Sequence, residues 1–219
     1  MIDTVITSEQ LVRAINETLR MVGFSLLFGA LLGIPIGILL VIARPGGLLE
    51  NAALYRILNP VINIVRSLPF IILLVAILPF TRLIVHTSIG TSAAIVPLVL
   101  YVAPYIGRLV ENSLLEVSPG ILEAAQAMGA TPLQVIWYFM LPEAFASLIL
   151  TMTTATIGLI GATAMAGTVG GGGLGDLAIS YGYQRFDTFT IIVTVVLLVI
   201  FVQGIQSLGN VLARKARRE

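Results

Sequence analysis

Five long apolar stretches separated by polar or glycine-rich breaks set the pattern of this chain: residues 21–43, 57–81, 91–110, 144–166 and 188–213. A helix needs about 20 apolar residues to cross a bilayer, so each stretch predicts one crossing. The first is free of charge. The second is interrupted by Arg66, the third carries Arg108 near its end, and Pro97 and Pro104 predict kinks within it. Ahead of them, Leu11, Ile15 and Leu19 recur at helical spacing behind Thr7-Ser-Glu-Gln10, a capping-box pattern. This start reads as an amphipathic lead-in helix. Asp3, Glu9 and Glu17 argue against a signal peptide, as does the length of the apolar run that follows. No internal period of about 20–50 residues is present, which excludes a solenoid.

Composition agrees with a membrane-embedded domain. The chain of 219 residues is 58% hydrophobic and 11% charged, whereas soluble domains carry about 25% charged residues. It has no cysteine, which removes disulfide and thiolate chemistry. A net charge of +1 gives no ground for a nucleic-acid partner. Five crossings place the two ends on opposite sides, and the positive-inside rule selects the side. With the C-terminus inside, Arg44, Arg56, Arg108, Arg214, Lys215, Arg217 and Arg218 face the cytosol, against Arg13, Arg20, Arg82 and Arg185 outside. This favours an N-out, C-in topology. The basic tail also suits anchoring at anionic lipid head groups.

The loop between the third and fourth stretches is the most informative segment. Ser118-Pro119 is a helix start, with a side-chain oxygen to cap and proline in the first turn. Gly129 is a natural stop, because glycine accepts the left-handed conformation. Thr131-Pro-Leu-Gln134 opens a second helix with a capping box, and Pro142 marks a boundary before the fourth stretch. The expected result is a short helix over 119–128 between two breaks, a handle for a soluble partner. Ala124, Ala125 and Ala127 keep its surface small enough for close approach. Glu123 would enter that contact or brace the following turn.

Several motifs exclude other chemistries. No G-x-x-x-x-G-K-[ST] occurs, so no P-loop is available and energy must come from a separate subunit or an ion gradient. Gly170, Gly172 and Gly175 fit G-x-G-x-x-G, but a dinucleotide site needs a preceding strand. Here the glycines follow an apolar stretch, as an irregular backbone segment or as close helix packing. His86 near Gly90-Thr-Ser92 lacks the separate helices that a serine–histidine pair requires. Asp and Glu are absent from the stretch interiors, which weighs against a proton-coupled carrier. Arg66 reads as the one charge deep in a span, facing a water path or serving as a structural or snorkelling arginine. Pro69 should break the helix and free carbonyls for that guanidinium. Met165 offers a thioether to an apolar substrate or fills a packing gap.

The run Glu123-Ala-Ala-Gln-Ala-Met-Gly129, followed after twelve residues by Pro142, follows the pattern E-A-A-x-x-x-G-x9-I-x-L-P, with Phe139 in the isoleucine position. It resembles the coupling-loop motif of ABC-importer permeases. Arg66-Ser-Leu-Pro-Phe70 and Gly167-Thr-Val-Gly-Gly-Gly-Gly-Leu-Gly175 resemble the methionine-uptake permeases of that family. The resemblance implies an all-α integral membrane protein with the type I importer permease fold over 14–208, a lead-in over 1–13 and a basic cytosolic tail over 209–219. It implies that Glu123, Ala124, Ala125, Gly129, Leu141 and Pro142 form the ATPase-coupling site, and that Arg66 and Pro69 line the translocation pathway or its gate; Met165 joins them as a pathway or gate candidate on the chemistry of its thioether. No catalytic residue, metal or cofactor is expected. Expected partners are a second copy of the chain, two ATPase subunits, an external substrate-binding protein, membrane lipid, and methionine or a similar amino acid. A gradient-driven carrier or channel is the alternative.

Overall fold

The structure is a computed structural model that describes residues 6–217; Asp3 of the lead-in and Arg218 of the basic tail lie outside the described residues. All regular structure among them is helical. Helix α1 spans Ser8–Ala43, α2 Ala52–Ser67, α3 Phe70–Ala76, α4 Leu78–Val85, α5 Thr91–Leu115 and α6 Pro119–Ala127. A short α7, Pro132–Gln134, runs through a π-helical stretch, Val135–Met140, into α8, Leu141–Glu143, and then α9, Phe145–Gly167. Helix α10, Gly173–Asp176, leads through a second π stretch, Leu177–Tyr183, to α11, Thr188–Ala216.

The expected capping box starts α1: Gln10 N–H donates to Thr7 Oγ1 at 3.2 Å, and Thr7 N–H donates to Gln10 Oε1 at 2.9 Å. Lead-in and first crossing are not separate, however. They form one helix of 36 residues, because no glycine or proline breaks the run between Leu11 and Met21. Four helices, α1, α5, α9 and α11, are long and apolar enough to cross a membrane. The second crossing is a bent pair: α2 and α3 meet at 104° across Leu68-Pro69. Helix α5 continues through both Pro97 and Pro104.

Helix α5 is the centre of the molecule. Leu98, Val102, Ile106 and Val110 on it are fully buried. Helix α1 lies against it along Gly29, Gly33 and Gly37, whose missing side chains admit Val102, Ala103 and Val110. An added Cβ at Gly33 would stand 2.6 Å from the Ala103 carbonyl oxygen. Small residues four apart let helix backbones approach where lipid supplies no hydrophobic drive between them. Helix α9 packs on both α5 and α1, and α11 packs on α9, with Gly209 of α11 against Thr153 of α9.

The two ends of the bundle are distinct. At one, Gln10 of α1, Thr91 of α5 and Gly170 beyond α9 line a common cleft. At the other, Arg44 beyond α1, Leu115 of α5 and Glu123 of α6 line another. Asp176 and Tyr181, ahead of α11, line the first cleft, and Gly209 towards the end of α11 packs on Thr153 in the first half of α9; the start of α1 and the end of α11 therefore lie at opposite ends, as five crossings require.

Candidate functional site

The short helix α6 stands at the end opposite the start of α1. Pro119 begins it, but Ser118 makes no side-chain cap. Its stop is the one the glycine predicts. Gly129 has φ +80°, Gly129 N–H donates to Gln126 O at 2.9 Å, and Ala130 N–H donates to Ala125 O at 3.1 Å. This pair of bonds is a Schellman motif, which satisfies the carbonyls at the helix end. Thr131 then caps the next helix through Gln134 N–H at 3.4 Å, and Gln134 Oε1 accepts from Thr131 N–H at 2.8 Å.

The six coupling residues divide into two groups. Ala125 is fully buried and belongs to the same core cluster as Val135, Ile136 and Met140 of the π stretch. It anchors α6 to its own chain instead of facing a partner, because only a methyl fits under the helix there. Leu141 is partly buried against the same cluster. Glu123, Ala124, Gly129 and Pro142 are exposed, as are Gln126, Ala127 and Met128. Glu123 makes no intrachain hydrogen bond or ion pair among the described residues, so it does not brace the turn. Pro142 is no boundary. The backbone stays helical from Gln134 through Leu141 to Ala144, because the proline falls in the first turn after the widened π stretch, where a missing N–H costs little. One nearly continuous rod thus joins the flank of α6 to the far end of α9. Exposed Leu133, Trp137 and Tyr138 extend the apolar surface beside α6.

The pathway residues sit at two levels. Pro69 breaks the second crossing as predicted. The freed carbonyls do not take the guanidinium: Ile64 O accepts from Ser67 Oγ at 2.7 Å, and Val65 O accepts from Leu68 N–H at 3.3 Å. Arg66 instead projects from an exposed position, with its guanidinium 6.0 Å from the Tyr105 ring centre. Gly158 of α9 lies at the level of Tyr105. Met165 is seven residues further along, about 10 Å higher at 1.5 Å per residue. It is 53% exposed and turned away from its own protomer. The structure therefore does not bring Arg66 and Met165 together within one chain.

The buried charge is elsewhere. Arg108 donates to Glu111 Oε2 at 2.6 Å, to Asn59 Oδ1 at 2.6 Å and to Asn63 Oδ1 at 2.8 Å. The side chains of Arg108 and Glu111 are 16% and 5% exposed. Glu111 follows the predicted end of the third crossing by one residue, yet α5 continues past it, so a carboxylate does lie inside a span helix. The planar guanidinium fork satisfies three acceptors at once and ties α2 to α5. Of the partners of Arg108 only Glu111 is near it in sequence; the two asparagines come from a different crossing.

These features define a class: an integral membrane permease of helical type, with a short capped helix displayed at one end and an interrupted crossing beside a central helix. The chain belongs to the family described as the inner membrane component of binding-protein-dependent transport systems, whose profile matches residues 11–218. It is 51% identical over 210 residues to the probable D-methionine transport system permease protein MetI of Vibrio cholerae, covering 96% of this chain and 93% of that one. It is 55% identical over 157 residues to the D-methionine transport system permease protein MetI of Salmonella typhi, covering 72% of each. A chain of the inward-facing MetNI methionine ABC transporter, in its CY5 native crystal form, superposes with a TM-score of 0.94 at 47% identity, covering 96% of this chain and 99% of that one. An amino acid ABC transporter solved with histidines superposes with a TM-score of 0.79 at 16% identity, a likeness of fold. The type I importer permease fold expected from the coupling motif is the fold observed.

Proposed function

We propose that this chain is the membrane-spanning permease of an ATP-driven methionine importer. It works as a homodimer, with two ATPase subunits seated on its coupling helices and an external binding protein delivering the amino acid. The orientation is N-out, C-in, which puts α6 in the cytosol. The observation that carries this reading is α6 itself: a helix anchored inward by Ala125 and stopped at Gly129, with Glu123, Ala124, Ala127 and Met128 left facing outward. A gradient-driven carrier or channel has no use for such a surface.

The fold supplies a transmission route. Closure of the ATPase dimer on ATP would displace α6. Because α6 packs on the π stretch that continues into α9, the displacement would pass along one rod to Met165 at the outer end. Met165 would gate the pathway between the two copies, and Arg66 with Pro69 would line it one level below. Packed elements that move as bodies between two arrangements give alternating access. The chain itself performs no covalent chemistry; hydrolysis belongs to the partner. A path with glycine-rich walls, a thioether and few fixed charges suits a small zwitterion with an apolar side chain.

The test is assembly. The chain co-expressed with its ATPase should copurify as a complex that hydrolyses ATP. Glu123→Arg should insert in the membrane normally yet release the ATPase. A complex that survives Glu123→Arg unchanged would remove α6 as the docking surface.

A further inference from the structure

The segment 167–175 was readable as glycine-rich, but its attachment to α1 was not. Glu17 Oε2 accepts from Gly173 N–H at 2.8 Å, and Thr18 Oγ1 accepts from Leu174 N–H at 2.9 Å. Arg13 Nε holds the other carboxylate oxygen of Glu17 at 2.9 Å. Thr18 and Leu174 are buried, so water cannot replace the second bond. Gly172 and Gly173 have φ +78° and +83°, and a Cβ on Gly173 would stand 2.7 Å from Thr18 Oγ1 and 2.8 Å from Met21 Cε. The backbone thus passes directly over α1, at a distance only glycine allows. On its other side the segment is seated on α9: Gly171 leaves no space beside Ala166, and Gly175 none beside Ala164. Met165 lies between those two alanines and is turned outward. A third bond, Gly90 N–H to Gly170 O at 2.8 Å, joins the start of α5.

We propose that Glu17 and Thr18 are positioning residues for the outer gate. They latch the glycine segment to α1, so that the outer third of α1, the segment and the last turn of α9 move as one body and carry Met165 with them. Opening the latch would leave the Leu174 N–H buried without an acceptor, which makes sliding between α1 and the segment the costlier movement. Displacement that arrives at Met165 along α9 then carries the outer third of α1 with it, instead of being taken up in the glycine-rich segment that joins the two. This proposal rests on the gate reading of Met165.

The experiment uses the full transporter, two copies of this chain with ATPase and binding protein, in liposomes, and measures methionine imported per ATP hydrolysed. A role in fold stability alone lowers the yield of complex and leaves this ratio unchanged. Thr18→Val keeps the shape and removes the acceptor, and Glu17→Leu removes the other. Each should lower the ratio about fivefold, the order of one lost hydrogen bond. Thr18→Ser and Glu17→Gln keep an acceptor and should keep the wild-type ratio. Should Thr18→Val not assemble, Glu17→Leu gives the same reading from a partly exposed site. Wild-type ratios in the Val and Leu variants overturn the latch, as do Ser and Gln variants that fall equally far. Met165→Ala separates the two readings. If it alters the ratio and the latch variants do not, only the latch fails. If the latch variants lower the ratio and Met165→Ala is neutral, the gate reading of Met165 fails and the latch as a positioning device for that gate falls with it.

Discussion

At the scale of single residues, Gly129 and Arg108 carry different kinds of constraint. Gly129 is held at φ +80° with no neighbour within 4 Å of an added Cβ. The cost of substitution there is conformational, about 1–2 kcal/mol for a left-handed residue with a side chain. We predict that Gly129→Val inserts and dimerises but loses ATPase coupling, measured as substrate-stimulated hydrolysis; unaltered stimulation would leave the Schellman stop without functional weight. Arg108 is constrained by partners. Arg108→Ala would strand the buried Glu111 carboxylate, and breaking a buried pair costs about 3–5 kcal/mol. The purified variant should unfold well below the wild type in a thermal ramp, and Arg108→Lys should fall between them because an ammonium lacks the fork. Equal melting of Arg108→Ala and wild type would contradict the tie between α2 and α5. The sequence made Gly129 legible because its meaning is local. The Arg108 network was not legible, because Asn59 and Asn63 meet Arg108 only after two crossings pair.

At the scale of elements, the local punctuation was readable where a side chain bonds its own backbone, as at Thr7 and Thr131. It failed where the outcome depended on packing. Pro142 reads as a boundary until the π stretch before it is known, and Ala125 reads as partner surface until Val135 and Ile136 are seen beneath it. The break at Pro69 was legible and only its angle of 104° was not; the continuity of α1 is itself readable in the absence of glycine or proline between Leu11 and Met21. One further signal was present: glycines at 29, 33 and 37, spaced by four, mark the face of α1 that meets α5. We predict that Gly33→Ala, whose Cβ would meet backbone, separates the two helices and costs about 1–3 kcal/mol. Gly23→Ala, with nothing within 4 Å, should be neutral. Thermal melting of the two variants makes the comparison, and equal behaviour would reject the glycine seam.

At the scale of the whole molecule, the account requires α6 and the start of α1 to lie on opposite sides of the membrane, with α6 inside. The absence of cysteine makes single reporters clean. Ser8→Cys should react with an impermeant maleimide on intact cells, and Ser118→Cys only after the inner face is opened; the reverse pattern would reject the N-out orientation. The central claim, that this chain moves methionine at the expense of ATP, is tested most directly by uptake into liposomes holding the assembled transporter. The account predicts labelled methionine entering only when ATP is on the ATPase side, with unlabelled methionine competing and arginine or glutamate not competing. Uptake that proceeds on an ion gradient without ATP, or that ignores excess methionine, would contradict it.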